Sequence, residues 1–238
     1  MYEGTYDSPF IWECHSAVVF SAMAANGWTY SQIAFLYGLA MLSHAFSIIL
    51  FIQTWHIGGI MLAGELDRFL LRPMNVLFQF LFMDFNLIGL TDLLPGVIIF
   101  IYGCMQVRFS WTLYSTLAIM AVLFGATLIR GALFMATGSI AFWTKSNSDF
   151  SGINLNIMDR TTMYPLTMYP RIIQMIFTFV LPFGFISFFP ASAFLGMDNG
   201  FSFPSWIIWF TPVVGIAVFT LSCLLFCAGL RKYDSAGS

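Results

Sequence analysis

The sequence predicts an all-α fold, a polytopic transmembrane helix bundle of about six spans, and three observations predict it. Of 238 residues, 59% are hydrophobic, 18% aromatic and only 8% charged, whereas a soluble domain carries about 25% charged residues. The mean hydropathy is +0.85. The apolar residues also fall into runs near the roughly 20 residues that a helix needs to cross a bilayer. Residues 1–238 therefore read as a single transmembrane domain, with room for six or seven spans and short loops.

Each element follows from its run. Residues 10–25 form a short first span that carries Glu13 and His15 and ends at the turn pair Asn26-Gly27. Residues 33–55 are a strong second span, rich in Leu, Ile, Phe and Ala. Residues 57–73 mix Glu65, Asp67, Arg68 and Arg72 with Ile60, Leu62, Leu66, Phe69 and Leu70, the pattern of a short amphipathic helix at the interface. From 74 to 102 the apolar run is interrupted by Asp84, Asn86, Asp92 and Pro95, which reads as an interfacial piece and then a third span centred near 94–102. Residues 111–143 are a fourth, about 33 residues or about 50 Å long. That exceeds the ~30 Å hydrocarbon core, so the helix tilts or projects.

Residues 144–170 are the longest polar stretch and read as a second cytoplasmic loop. Residues 171–195 are apolar again but broken by Pro182 and Pro190. Such breaks survive in lipid only under cover of protein or a water-filled cavity. A span followed by a re-entrant outer segment, about 182–203, meets that requirement. Residues 206–230 are the last span, before a polar tail.

Charge orients this threading. With both termini cytoplasmic, the inner side receives Arg68, Arg72, Lys145, Arg160, Arg171, Arg231 and Lys232, the outer side only Arg108, and Arg130 stays in a span. The positive-inside rule favours this topology over its inverse. No positive n-region of a cleavable signal precedes the first span, because Glu3 and Asp7 stand there.

The chemistry-bearing residues exclude more than they assign. The net charge of −2 and the scattered Lys and Arg argue against nucleic-acid binding. The histidines His15, His44 and His56 sit apart, and no GxSxG, HExxH or Walker-type loop appears. The four cysteines form no CxxC pair. Neither a catalytic residue, a metal ligand nor a cofactor is expected. Arg130 is the informative ionisable residue in a span. It has two readings: a snorkelling side chain near the inner headgroups, or a residue that lines a translocation path. The two inner-side polar elements, 64–73 and 158–170, fit docking of a soluble partner or, more blandly, solvated connectors.

These motifs carry a resemblance: GWTYSQIAFLYGL at 27–39, GELDRFLLRP at 64–73, FW at 142–143, YPLTMYPR at 164–171, TFVLPFGFISFFPASAFLG at 178–196 and GLRKYDSAGS at 229–238. In their order and spacing the chain resembles permease subunits of ATP-binding-cassette exporters of the second type, in the branch that includes viologen-exporter-like systems. The resemblance implies a six-helix subunit driven by a separate cytosolic ATPase and paired with a second, related permease or with its own copy, in the lipid of a bacterial-type plasma membrane. Gly64, Glu65, Leu66, Asp67, Arg68, Arg72 and Pro73 then look like a coupling helix, about 57–73, that enters a cleft on the ATPase. Tyr164, Pro165, Tyr169 and Pro170 look like a second contact, and Pro182 and Pro190 like the re-entrant segment. Residues 1–15 depart from the longer N-terminus of the family. The expected cargo is amphiphilic or drug-like; the alternative function is a non-transporting membrane scaffold or assembly protein.

Overall fold

The computed structural model describes residues 27–81, 87–145, 150–198 and 200–233. Its α-helices in chain order are α1 (Tyr30–Phe51), α2 (Ile57–Leu62), α3 (Leu66–Leu70), α4 (Val76–Leu81), α5 (Ile88–Gln106), α6 (Leu113–Ser139), α7 (Ala141–Thr144), α8 (Phe150–Thr162), α9 (Arg171–Met175), α10 (Phe188–Leu195) and α11 (Phe210–Leu230). There is no strand among the described residues. The all-α helix bundle is as the composition predicts. Among the described residues, four helical stretches are long and apolar enough to cross a membrane: Tyr30–Leu62, Gly89–Gln106, Leu113–Thr144 and Ser205–Leu230. The expected first span, 10–25, lies outside the described residues.

Local chemistry starts the two central helices. Thr29 Oγ1 accepts from Gln32 N while Gln32 Oε1 accepts from Thr29 N at 2.9 Å, a capping box at the head of α1. Thr112 and Ser115 repeat the device at the head of α6. These two helical stretches are the core of the bundle, 61% and 67% buried, against 28% for the stretch containing α5 and 22% for that containing α11. The outer pair therefore leaves most of its apolar surface to lipid or to another chain.

Small residues set how the helices meet. Gly89, Gly96 and Gly103, seven apart, lie along the face of α5 that meets α1. A Cβ at Gly103 would sit 2.6 Å from the Phe35 backbone, and one at Gly38 of α1 would sit 2.5 Å from that of Phe100. The pairing 38 with 100 and 35 with 103 makes the two helices antiparallel. Without a hydrophobic drive between helices in lipid, such close backbone approach supplies the dispersion contact that holds them. On α6, Gly125 meets the Pro212 backbone of α11 in the same way, and Gly229 meets Phe142, so α6 and α11 run parallel.

The bundle has two ends. At one, Ile57, Ile60, Leu66, Phe80, Met135, Phe142 and Phe226 form a separate apolar cluster, and Arg68, Arg72, Lys145, Arg231 and Lys232 belong to the segments around it. The other end holds the starts of α1 and α6, the 183–208 region and Arg108; here Trp28 lies 6.0 Å from Phe188.

The stretch 144–170 differs from the expected cytoplasmic loop. Its helix α8 runs back along α6, with Asn154 Nδ2 donating to Leu133 O at 3.3 Å and Asp159 meeting Arg130. Segment 164–170 consequently packs toward the start of α1. Leu166 is buried against Gly184, and Arg171 donates to Gly200 O at 2.5 Å while its guanidinium lies 4.2 Å over the Phe201 ring. The reason is amphipathic satisfaction: α8 is too polar for lipid, but its polar groups find partners inside the bundle. Five cations thus gather at one end and two, Arg108 and Arg171, at the other, while Arg130 and Arg160 lie between on α6 and α8.

The prolines stand where the apolar stretch divides into short helical pieces. Residues 171–180 form a ten-residue apolar helix, about 15 Å long, half of what a span needs. It finishes in a π-helical turn, Ile176–Val180, closed by Leu181 N donating to Ile176 O at 2.9 Å. Pro182 precedes a 3-10 turn, Phe183–Phe185, and Pro190 occupies the first turn of α10, where no intrahelical N–H bond is lost. Both prolines are buried. They begin new helical pieces rather than bend old ones.

Candidate functional site

Two sites collect the candidate residues. The first is ionic and internal. Arg130, at the middle of α6, is fully buried, and four side chains surround its guanidinium. NH1 donates to Asp159 Oδ1 at 2.7 Å, NH2 to Thr162 Oγ1 at 2.7 Å and Nε to Ser43 Oγ at 3.2 Å. His44 Nδ1 lies 3.1 Å from the same Asp159 oxygen and 3.3 Å from Arg130 NH1. On the far side of the ring, His44 Nε2 lies 3.6 Å from Asp92 Oδ2 on α5, too far for a hydrogen bond. Four helices, α1, α5, α6 and α8, thus meet around one charge.

The arrangement bears on the snorkelling reading of Arg130. A guanidinium enclosed by Ser43, Asp159 and Thr162 does not snorkel to the headgroups. Its positive charge is matched by the Asp159 carboxylate, which is the condition under which a buried cation is tolerated. Sequence inspection alone assigned no role to Asp159, His44, Ser43 or Thr162. The signal that pointed to them was the lone arginine itself, because a cation inside an apolar bundle demands a carboxylate partner.

The second site is the charged hairpin 64–73. The stretch 57–73 that contains it is two short helices, α2 and α3, and not the single amphipathic helix that the pattern predicts. Gly64, at φ +71°, turns the chain between them, and Glu65 N donates to Ile60 O at 3.1 Å. A left-handed residue closes a helix at low cost only when it is glycine. Leu66 is fully buried in the end cluster, and Phe69 stacks on Phe80 at 4.9 Å. These anchors leave Glu65, Arg68, Arg72 and Pro73 exposed, with Asp67 half-buried. Exposed Leu70, Leu71, Met74 and Phe78 border them, so the surface is charged and apolar at once.

The structure does not bring Tyr164, Pro165, Tyr169 and Pro170 to this hairpin. Tyr169 packs against Phe177 at 5.8 Å, and Tyr164 against the large core cluster rather than the cluster under the hairpin. The two polar elements therefore lie apart in the bundle. The cause is the climb of α8 along α6, which carries the following residues away from the α6 C-terminus. Among the described residues no group of three or more His, Cys, Asp or Glu is placed to hold a metal ion.

The comparisons with known proteins join this geometry. The family described as ABC-2 family transporter protein matches residues 15–237. No curated protein and no solved structure matches the chain. With the match running through the spans, the ionic cluster and the charged hairpin alike, the chain belongs to the ABC-2 transporter family.

Proposed function

We propose that this protein is the permease subunit of an ATP-driven exporter, and that residues 64–73 are where the ATPase docks. Family membership makes the chain a multi-pass membrane permease component that works with an ABC ATPase subunit. The carrying observation is the hairpin: exposed Glu65, Arg68 and Arg72 ride on buried Leu66 and half-buried Phe69. Rigid anchoring under a charged surface is what force transmission between subunits needs. The hairpin is continuous with the long α1 stretch, which leads to Ser43 and His44 in the ionic cluster. A displacement at the hairpin reaches the centre of the bundle along one helix.

The excess of cations at the hairpin end supports an orientation with that end, and both termini, in the cytoplasm of a bacterial-type plasma membrane. The exposed faces of α5 and α11 support pairing with a second permease, a related subunit or another copy. The cargo is an amphiphilic or drug-like molecule moved outward, as in the viologen-exporter-like branch. Arg130 borders the path through its helices.

The test is co-purification of the ATPase with the permease carrying Glu65→Ala, Asp67→Ala and Arg68→Ala together, alongside export from whole cells. Loss of both is expected. Unchanged ATPase binding together with unchanged export overturns the docking assignment.

A further inference from the structure

Ser187 stands at the head of α10, where a serine ordinarily turns its oxygen onto the N–H of the second or third helical residue. It makes no such bond. The third helical residue is Pro190, which has no N–H to offer. The hydroxyl donates instead to Thr162 O at 2.5 Å, across 25 residues of sequence. That carbonyl belongs to the last residue of α8, so its own helix leaves it without a partner. The unused cap of one helix thus satisfies the free carbonyl of another, with Ser187 fully buried and Thr162 nearly so.

Thr162 is also one of the side chains around Arg130. Its Oγ1 accepts from Arg130 NH2 at 2.7 Å and donates to Met158 O at 2.8 Å. Arg130 Nε in turn reaches Ser43 Oγ at 3.2 Å. A continuous set of bonds among buried groups therefore runs from Ser43 through Arg130 and Thr162 to Ser187, joining α1, α6, α8 and α10. Elsewhere α10 is held by rings: Phe188 lies 6.0 Å from Trp28, and Phe194 lies 5.6 Å from Phe109. Ring contacts resist separation, but a hydrogen bond also fixes direction, and breaking this one strands a buried acceptor. Ala193, Phe194 and Leu195 of the same helix line a cleft of about 510 Å³ with Thr29, Arg108 and Thr112. The seat of α10 consequently sets the shape of that cleft, at the end of the bundle opposite the hairpin.

We infer that Ser187 is a positioning residue: through Thr162 it ties α10, and with it one wall of the cleft, to the Arg130 cluster, so that a change at the cluster shifts α10. The coupling stands on this chain's own bonds. Its use in transport rests on the exporter reading, in which a displacement arriving along α1 at Ser43 has a bonded route to the opposite end.

Hydrogen exchange of the purified full chain in detergent, followed by mass spectrometry over peptides of α10 and of α11, tests the link. Thr162→Val removes the bond from Arg130 but keeps the carbonyl that Ser187 uses. It is expected to speed exchange in 188–195 about three- to tenfold, the scale of one hydrogen bond, while α11, which no bond of the set reaches, changes by less than about twofold. Ser187→Ala should loosen α10 to a similar degree. The double variant should exchange no faster than Ser187→Ala alone, because the cluster then has no bond left through which to act. Effects that multiply in the double variant overturn the proposal. Unchanged exchange of α10 in Thr162→Val also overturns it, as does an equal rise in α10 and α11, the mark of general loosening. Should Ser187→Ala fail to fold, the comparison of α10 with α11 in Thr162→Val still decides. None of these outcomes involves the ATPase, so failure here leaves the docking assignment to its own test.

Discussion

Arg130 of α6 and Asp159 of α8 form a 2.7 Å charged hydrogen bond across 29 residues of sequence, with the arginine fully buried. Removing one partner leaves a buried, unmatched charge, a change that costs about 3–5 kcal/mol in comparable sites. Asp159→Asn and Arg130→Met are each expected to lower the thermal midpoint of the detergent-solubilised protein substantially. The double variant Arg130→Met with Asp159→Leu should recover a good part of the loss. A double variant as unstable as the sum of the singles would refute a pairwise ionic origin.

Asp92 stands in the same chain of groups but should behave differently. It lies 3.6 Å from His44, and its side chain is 35% exposed, against 22% for Asp159. A partly exposed pair contributes about 0–1 kcal/mol. Asp92→Asn is therefore expected to shift stability by less than about 1 kcal/mol. The same thermal assay checks it, and a loss equal to that of Asp159→Asn would place Asp92 inside the core network.

The glycines of α5 give a graded test. A Cβ at Gly103 would meet the Phe35 backbone at 2.6 Å, whereas one at Gly96 would meet Leu42 at 3.4 Å, near ordinary contact. Gly103→Ala forces α1 and α5 apart and should destabilise by about 1–3 kcal/mol, the cost of overpacking. Gly96→Ala should be neutral or gain up to about 1 kcal/mol from helix propensity. Thermal unfolding of both variants measures the difference, and equal effects would contradict the close packing.

Sidedness can be measured by cysteine labelling in a background without native cysteines. Probes at Arg72 and Lys145 should react with an impermeant reagent from one face of the membrane, and probes at Arg108 and Ser202 from the other. A probe at Pro170 is expected to group with Ser202, not with Arg72. Labelling of Pro170 from the Arg72 side would restore 144–170 as a loop on the hairpin face.

Much of this protein is legible before any coordinates. Apolar run length gives the long helices, because an apolar run of about 20 residues in lipid satisfies its own backbone groups as a helix. The overlong fourth run, 111–143, matches the helical stretch Leu113–Thr144 closely. The charge and apolar pattern of 57–73 likewise marks a surface element, since Glu65, Arg68 and Arg72 have nothing in the sequence nearby to bury them. What the pattern misses there is the turn at Gly64, which splits one amphipathic stretch into α2 and α3.

The tertiary structure alone decides the ionic cluster and the place of 164–170. Ser43, His44, Arg130, Asp159 and Thr162 each look like an isolated polar residue in sequence, because their partners are brought close only when α8 folds back along α6. A polar stretch such as 150–162 reads as a loop by composition, yet inside the bundle it finds the cation that its carboxylate needs. Run length and charge are local properties of the chain, and the sequence by itself determines what depends on them. Pairing of buried charges depends on which helices touch, and that is settled by packing between distant segments.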